Sequence, residues 1–385
     1  MECGIPLVEN VYWVGVNDRR TALFEAIWPI PRGVSYNSYL IRDEKVVLID
    51  AVKDLSVGKY LQKLRHLTGP DRRIDYLVIN HLEPDHSGAV PILKQIFPQM
   101  QVVGNKKTAE FLESLYGIRD IHVVQDGDEL KLGKRTLQFH LTPMVHWPET
   151  MMTYEASAGI LFSGDAFGGF GTLDGGIFDD EVDIHYFEDE ILRYFSNIVG
   201  KYAPMVQKAI KKLGALEIKI VASTHGPIWR SDPGRIIGLY DRWSRYEAEP
   251  GVVLAFASMY GNTEKMVEAV ARGLAEGGEY VGRGVADCGR ALQPFSQGGS
   301  VRIVLQGYRQ ARGLLKYAAE GDVQPSGEVG GEAHDPLFHI DQTRTSHPHA
   351  VRNAPASGQE FPDCLHQPAD GCFPSPLSRG RGLDL

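Results

Sequence analysis

The chain has 385 residues, 43% hydrophobic and 23% charged, with a formal net charge of −9 and a sequence pI near 5.8. These values suit a globular protein of two or three domains, and the acidic balance argues against general nucleic-acid binding, which needs a Lys/Arg surplus. Apolar runs such as 76–80, 159–163 and 252–257 fall far short of the ~20 residues of a membrane span, and the opening Met-Glu-Cys-Gly lacks a secretory leader's pattern, so a cytoplasmic chain with no membrane partner is expected.

In chain order, strand-like runs rich in Val, Ile, Tyr and Phe fall at Val11–Val16, Ser35–Ile41, Lys45–Ile49, Ile74–Asn80, Gln101–Val103, Ile121–Val124, Thr136–Leu141, Met151–Tyr154, Gly159–Phe162 and Ile218–Ala222. Helical spacing of apolar residues falls between them, at Val57–Leu67, Ala89–Phe97, Thr108–Leu115 and Glu188–Val199. Residues 1–250 therefore read as one layered α/β domain. A second unit opens at Gly251. The uninterrupted apolar run Val252–Ala257 predicts a strand buried on both faces, the loop Ser258–Thr263 follows, and Glu264–Leu274 has helical spacing. From about residue 281 the periodicity stops. Only Val301–Leu305 and Gly313–Ala319 resemble elements, and eight prolines between 320 and 385 exclude interior strands. Residues 281–385 thus read as a disordered tail or as a stretch translated out of frame from near 278–281.

The chemistry-bearing residues follow the strands. His81-Leu-Glu-Pro-Asp-His86 comes directly after Ile74–Asn80 and sets four possible metal donors, His81, Glu83, Asp85 and His86, within six residues. His146 follows Thr136–Leu141, Asp165 follows Gly159–Phe162, and His225 follows Ile218–Ala222. A lone His or Asp in such a place is more often a turn residue, and Asp85 alone would serve as a helix cap. Repetition of one strand-to-loop pattern at each of these donors points instead to converging strand ends around one centre. Seven donors exceed one tetrahedral zinc, and a bridging carboxylate such as Asp165 would hold two ions. Imidazole with carboxylate suits iron, zinc or manganese. Cys3, Cys288, Cys364 and Cys372 form no CxxC pair, so neither a thiolate site nor a disulfide framework is expected.

HxHxDH … His … Asp … His is the metal pattern of metallo-β-lactamase-fold proteins, and this chain has Glu83 at the second His. With that replacement, a following flavodoxin-like start, and the stretches Gly33-Val-Ser-Tyr-Asn-Ser-Tyr39, His146-Trp-Pro-Glu-Thr150 and Ser163-Gly-Asp165, residues 1 to about 278 resemble the flavodiiron proteins, or A-type flavoproteins. The resemblance implies a metallo-β-lactamase-like αββα sandwich, then a truncated or disrupted doubly wound flavodoxin-like domain at 251–280. It implies two irons per chain: one on His81, Glu83 and His146, the other on Asp85, His86 and His225, with Asp165 bridging. It further implies reduction of O2 to water, NO to N2O, or both. The electrons would come through FMN from rubredoxin, a reduced deazaflavin or a reductase. In a head-to-tail homodimer, or a dimer of dimers, the FMN of one subunit would face the irons of the other.

Ser258, Met259, Tyr260, Gly261, Asn262 and Thr263 would form the FMN phosphate loop. Backbone N–H groups at a helix N-terminus and hydroxyls suit a phosphate, and glycine allows close approach. Trp147 and Tyr194 are candidates for the pocket wall, Tyr194 equally for core. The alternatives are a binuclear zinc hydrolase of the same fold, thioesterase-like, and a redox-inactive sensor or scaffold. Glu83 and the 258–263 loop favour the diiron reading over the hydrolase, and the complete donor set speaks against the scaffold.

Overall fold

The computed structural model describes residues 3–69, 73–247, 252–256, 260–277, 281–285 and 302–305. Two sheets dominate. The first runs, edge to edge, Ile5–Val8, Val11–Trp13, Tyr39–Arg42, Val46–Ile49, Tyr76–Val78, Gln101–Gly104 and Ile121–Val123, antiparallel through Val46–Ile49 and parallel beyond. The second runs Glu129–Lys131, Thr136–Leu141, Met151–Glu155, Ile160–Gly164 and Ile220–Ser223, with only the last pair parallel. Met151–Glu155 and Ile160–Gly164 are buried at every position, which is why they read as apolar runs and not as alternating strands.

The sheets face each other across one core. Tyr39 of the first sets its ring 5.1 Å from Phe162 of the second and donates its hydroxyl to the Ser223 carbonyl. Helices cover the outer faces. Val57–Thr68 buries Val57, Tyr60 and Leu64 from one stripe, and Tyr60 shares a 2.8 Å hydrogen bond with Ser38 of the first sheet's side. On the second sheet's side, Ala203–Leu213 buries Ala203, Val206, Ala209 and Leu213, and is tied to Pro233–Ser244 by Gln207 donating to Asp241 at 2.9 Å. Pro233–Ser244 begins where Asp232 accepts the Arg235 N–H, with proline in the first turn where its missing N–H costs nothing. The layered α/β architecture expected from the sequence is the one observed.

Three local differences have physical causes. The expected helix Glu188–Val199 starts earlier, as Ile184–Tyr194, because Asp183 caps it through the His185 N–H; residues 195–199 then widen into a π-turn. The donor loop 81–86 contains a helical turn, Pro84–Ser87, with Asp85 and His86 on it. A hairpin of two-residue strands, Leu23–Phe24 and Trp28–Pro29, is too short to announce itself by periodicity.

A separate three-stranded sheet has Val252–Phe256 at its centre, parallel to Val281–Val285 and antiparallel to Arg302–Leu305. The helix Asn262–Glu276 connects the parallel pair, a β-α-β unit. Val281–Val285 is a strand where the sequence suggested none; Gly282 and Gly284 weaken its signal. The strand expected at 301–305 is present as Arg302–Leu305. Ser258 and Met259 of the phosphate loop, the fragment 313–319 and the rest of the expected tail lie outside the described residues. Among the described residues no helix is long and apolar enough to cross a membrane.

Candidate metal centre

The donors converge because the two sheets present strand C-termini at one edge. Tyr76–Val78 delivers His81, Ile160–Gly164 delivers Asp165, and Ile220–Ser223, its parallel neighbour, delivers His225. His146 sits in the turn between two antiparallel strands, where Thr150 Oγ1 donates to the Thr142 carbonyl at 2.6 Å. The His225 loop passes so close to Gly169 that a Cβ on Gly226 would lie 3.0 Å from its backbone, and Gly226 has φ +72°, so glycine is required on both counts.

All seven expected donors are buried, and they fall into two groups: His81, Glu83, His146 and Asp165; and Asp85, His86 and His225. Asp165 belongs to both by distance. Its Oδ2 lies 2.9 Å from His146 Nε2 and 3.7 Å from His81 Nε2, while its Oδ1 lies 2.8 Å from His86 Nε2 and 3.8 Å from His225 Nε2. Glu83 Oε2 is 3.1 Å from His81 Nε2 and 3.2 Å from His146 Nε2. Asp85 reaches His86 at 3.2 Å and His225 at 3.3 Å.

These contacts have ion-pair distances, but in the second group they lack hydrogen-bond direction. Both oxygens of Asp85 and the Nε2 atoms of His86 and His225 are buried without a hydrogen-bond partner. Buried polar atoms are rarely orphaned. Here they aim at a shared space, not at one another, which is what a cation would satisfy. The donor set therefore fits two metal ions.

The electrostatics carry the same demand. Burial alone would push His81 down, but Asp165, Glu149 and Glu83 reverse this and hold it well above the usual imidazole range. Burial is likewise overcome at His146 and His86, both raised to about 9, chiefly by Asp165 and Glu83 for the first and by Asp85 and Asp165 for the second. Asp165, despite full burial, is held well below the carboxylate range by His86 and His81. Four buried carboxylates, Glu83, Asp85, Glu149 and Asp165, thus require positive charge, supplied by imidazolium protons or by metal cations.

Outer partners fix the donors. His81 Nδ1 meets the buried Glu149 carboxylate at 2.7 Å, and Glu149 also accepts the Leu82 N–H at 3.0 Å. His225 Nδ1 faces the Ser35 carbonyl at 2.7 Å, and Thr224 donates to Asp165 Oδ1 at 2.6 Å. These bonds leave each ring's Nε2 for the centre. Asp50 accepts from both the backbone and side-chain amides of Asn80, the residue before His81. Glu149, Asp50 and Thr224 escaped the sequence reading; the sole hint was Glu149's place in His146-Trp-Pro-Glu-Thr150.

Trp147 sets its ring edge-on to His81 at 5.1 Å. Tyr194 is fully buried, 5.4 Å from the His225 ring, so it is at once core and neighbour of the site. A cavity of about 260 Å³ reaches Glu83 and His146, lined also by Glu25, Trp147, Asn197 and Tyr202. Partial burial and the neighbouring Glu83 push the Glu25 carboxyl up to about 8. In the second unit, Gly261 has φ +77° and caps the helix Asn262–Glu276, and Tyr260 is 85% exposed.

Residues 34–226 match the family described as ODP family beta lactamase. The chain is 36% identical over 279 residues to the nitric oxide reductase of Moorella thermoacetica, covering 71% of this chain and 69% of that one. Among solved structures it is similar to the flavodiiron protein of Giardia intestinalis, with TM-score 0.69, 34% identity, and coverage of 72% of this chain and 68% of that one. It is also similar to rubredoxin oxygen:oxidoreductase of Desulfovibrio gigas, with TM-score 0.72, 29% identity and coverage of 81% and 75%.

Proposed function

This chain belongs to the flavodiiron family and is an oxidoreductase, and from that premise we propose that it reduces nitric oxide, dioxygen or both at a centre of two irons. The observation that carries the reading is the division of Asp165, one oxygen toward each half of the donor set. His81, Glu83 and His146 would hold one iron, Asp85, His86 and His225 the other, and Asp165 would bridge. When bound, two ferrous ions supply two electrons to a diatomic molecule. Glu83 makes the donor set harder and more anionic than an all-imidazole one, which favours iron over zinc. The 260 Å³ cavity gives a small substrate a path to Glu83 and His146, and the aromatic rings of Trp147 and Tyr194 flank the donors.

Ser258, Met259, Tyr260, Gly261, Asn262 and Thr263 would hold the FMN phosphate. The left-handed Gly261 at the start of a helix inside a β-α-β unit supports this. We take residues 1–250 as the unit that carries the irons, and 251–280 as the start of the flavin domain. The electron donor would be rubredoxin or an equivalent reductant, and a head-to-tail dimer would bring the flavin of one subunit to the irons of the other.

Elemental analysis of protein from iron-replete cells should find about two irons per chain, by the logic of binuclear sites. Supplied with a reduced electron donor under anaerobic conditions, that protein should consume NO. Stoichiometric zinc without iron, together with thioester hydrolysis, would overturn the proposal in favour of the hydrolase.

A further inference from the structure

A second cavity, of about 460 Å³, lies between the N-terminal strands, the helix Val57–Thr68 and the 173–177 loop, and none of the seven metal donors lines it. Its volume is that of a small-molecule site. Its lining combines the apolar residues Trp13, Val16 and Leu173 with the cationic Lys63, Lys59 and Arg19.

Lys63 is the anomaly. It is 6% exposed and sits beside Leu64 on the buried side of its helix, where packing calls for an apolar residue. Its ammonium donates to the Gly15 carbonyl at 2.6 Å and lies 3.9 Å from the centroid of the Trp13 ring. Among the described residues no carboxylate forms an ion pair with it, and the one acid lining the cavity, Asp174, is exposed and paired with Arg19. Lys59, one turn earlier on the same helix, adds to the deficit: burial and then Lys59 push Lys63 down to about 8. Buried charges are ordinarily paired, so the missing member is an anion. The adjacent cation–π wall and apolar residues add a preference for an organic body behind that anion.

We infer that this cavity binds a small organic anion, its phosphate or carboxylate held by Lys63 and Lys59 and its apolar part laid against Trp13, Val16 and Leu173. The site is independent of the reading of the metal centre.

Calorimetric titration of the metal-loaded full-length chain with phenyl phosphate, benzoate, inorganic phosphate and phenol tests it. Phenyl phosphate or benzoate should bind with one-to-one stoichiometry, which of the two is tighter identifying the anion; inorganic phosphate should bind more weakly and phenol not measurably. Lys63→Met keeps the stem volume and removes the charge, and the rim variant Lys59→Gln alters only an exposed group. Each should weaken the tighter anion roughly ten-fold or more. Absence of saturable binding up to about 10 mM, a scale at which even weak sites fill, would overturn the inference. So would an affinity unchanged in the rim variant, since binding would then be at the metals. Should Lys63→Met fail to fold, the rim variant decides alone.

Discussion

Glu149 offers the most direct test of how the centre is held. It is fully buried, and one of its oxygens serves both His81 Nδ1, at 2.7 Å, and the Leu82 N–H, at 3.0 Å. Glu149→Ala leaves two buried donors without an acceptor, each costing roughly 1–3 kcal/mol, and frees the His81 ring to turn. Loss of such an outer partner typically weakens metal binding about 10–100-fold, equivalent to roughly 1.4–2.8 kcal/mol. His81 belongs to one half of the donor set only. The weakening should therefore fall on one of the two irons. Glu149→Gln keeps an acceptor oxygen but not the charge and should lie between the wild type and the alanine variant. The assay is iron removal by a chromophoric ferrous chelator, followed in time. Two phases are expected, with only one accelerated in Glu149→Ala. Equal loss of both irons, unchanged kinetics, or a glutamine variant weaker than alanine would refute the reasoning.

Asp165→Asn should lose both irons or keep one loosely, because an amide bridges two cations poorly, while His122→Ala, on the exposed edge strand Ile121–Val123, should keep both; metal analysis of the two variants decides. Metal uptake should release protons. His146 and His86 are raised to about 9 and hold protons in the metal-free chain, so iron affinity should climb with pH up to about 9 and level off above it, as calorimetry in buffers of different ionisation enthalpy would read. The same raised values stabilise the metal-free chain at low and neutral pH, and that contribution should be lost as pH rises through about 9, visible as a falling Tm. A chain ended at residue 250 should fold and bind iron, because both large sheets and all seven donors lie within it.

Much of this was legible in the sequence because it is local. Each donor follows an apolar strand, and a strand's end fixes where the next side chain stands, so His81, Asp165 and His225 read as converging from the sequence alone. The short interval of 81–86 did the same for Glu83, Asp85 and His86. What no local pattern carries is the partner across the fold. Glu149 meets His81 from 68 residues away, Ser35 meets His225 from 190, and the two oxygens of Asp165 acquire separate duties only when both sheets close around them. Lys63 shows the limit from the other side. On its helix it reads as an ordinary surface lysine, and only the packing of Trp13 and Gly15 over it turns it into a buried charge without a counterion among the described residues. Strand periods are written in neighbours two residues apart and helix periods in neighbours three or four apart, whereas burial, charge pairing and cavity walls belong to residues that meet only in the folded chain.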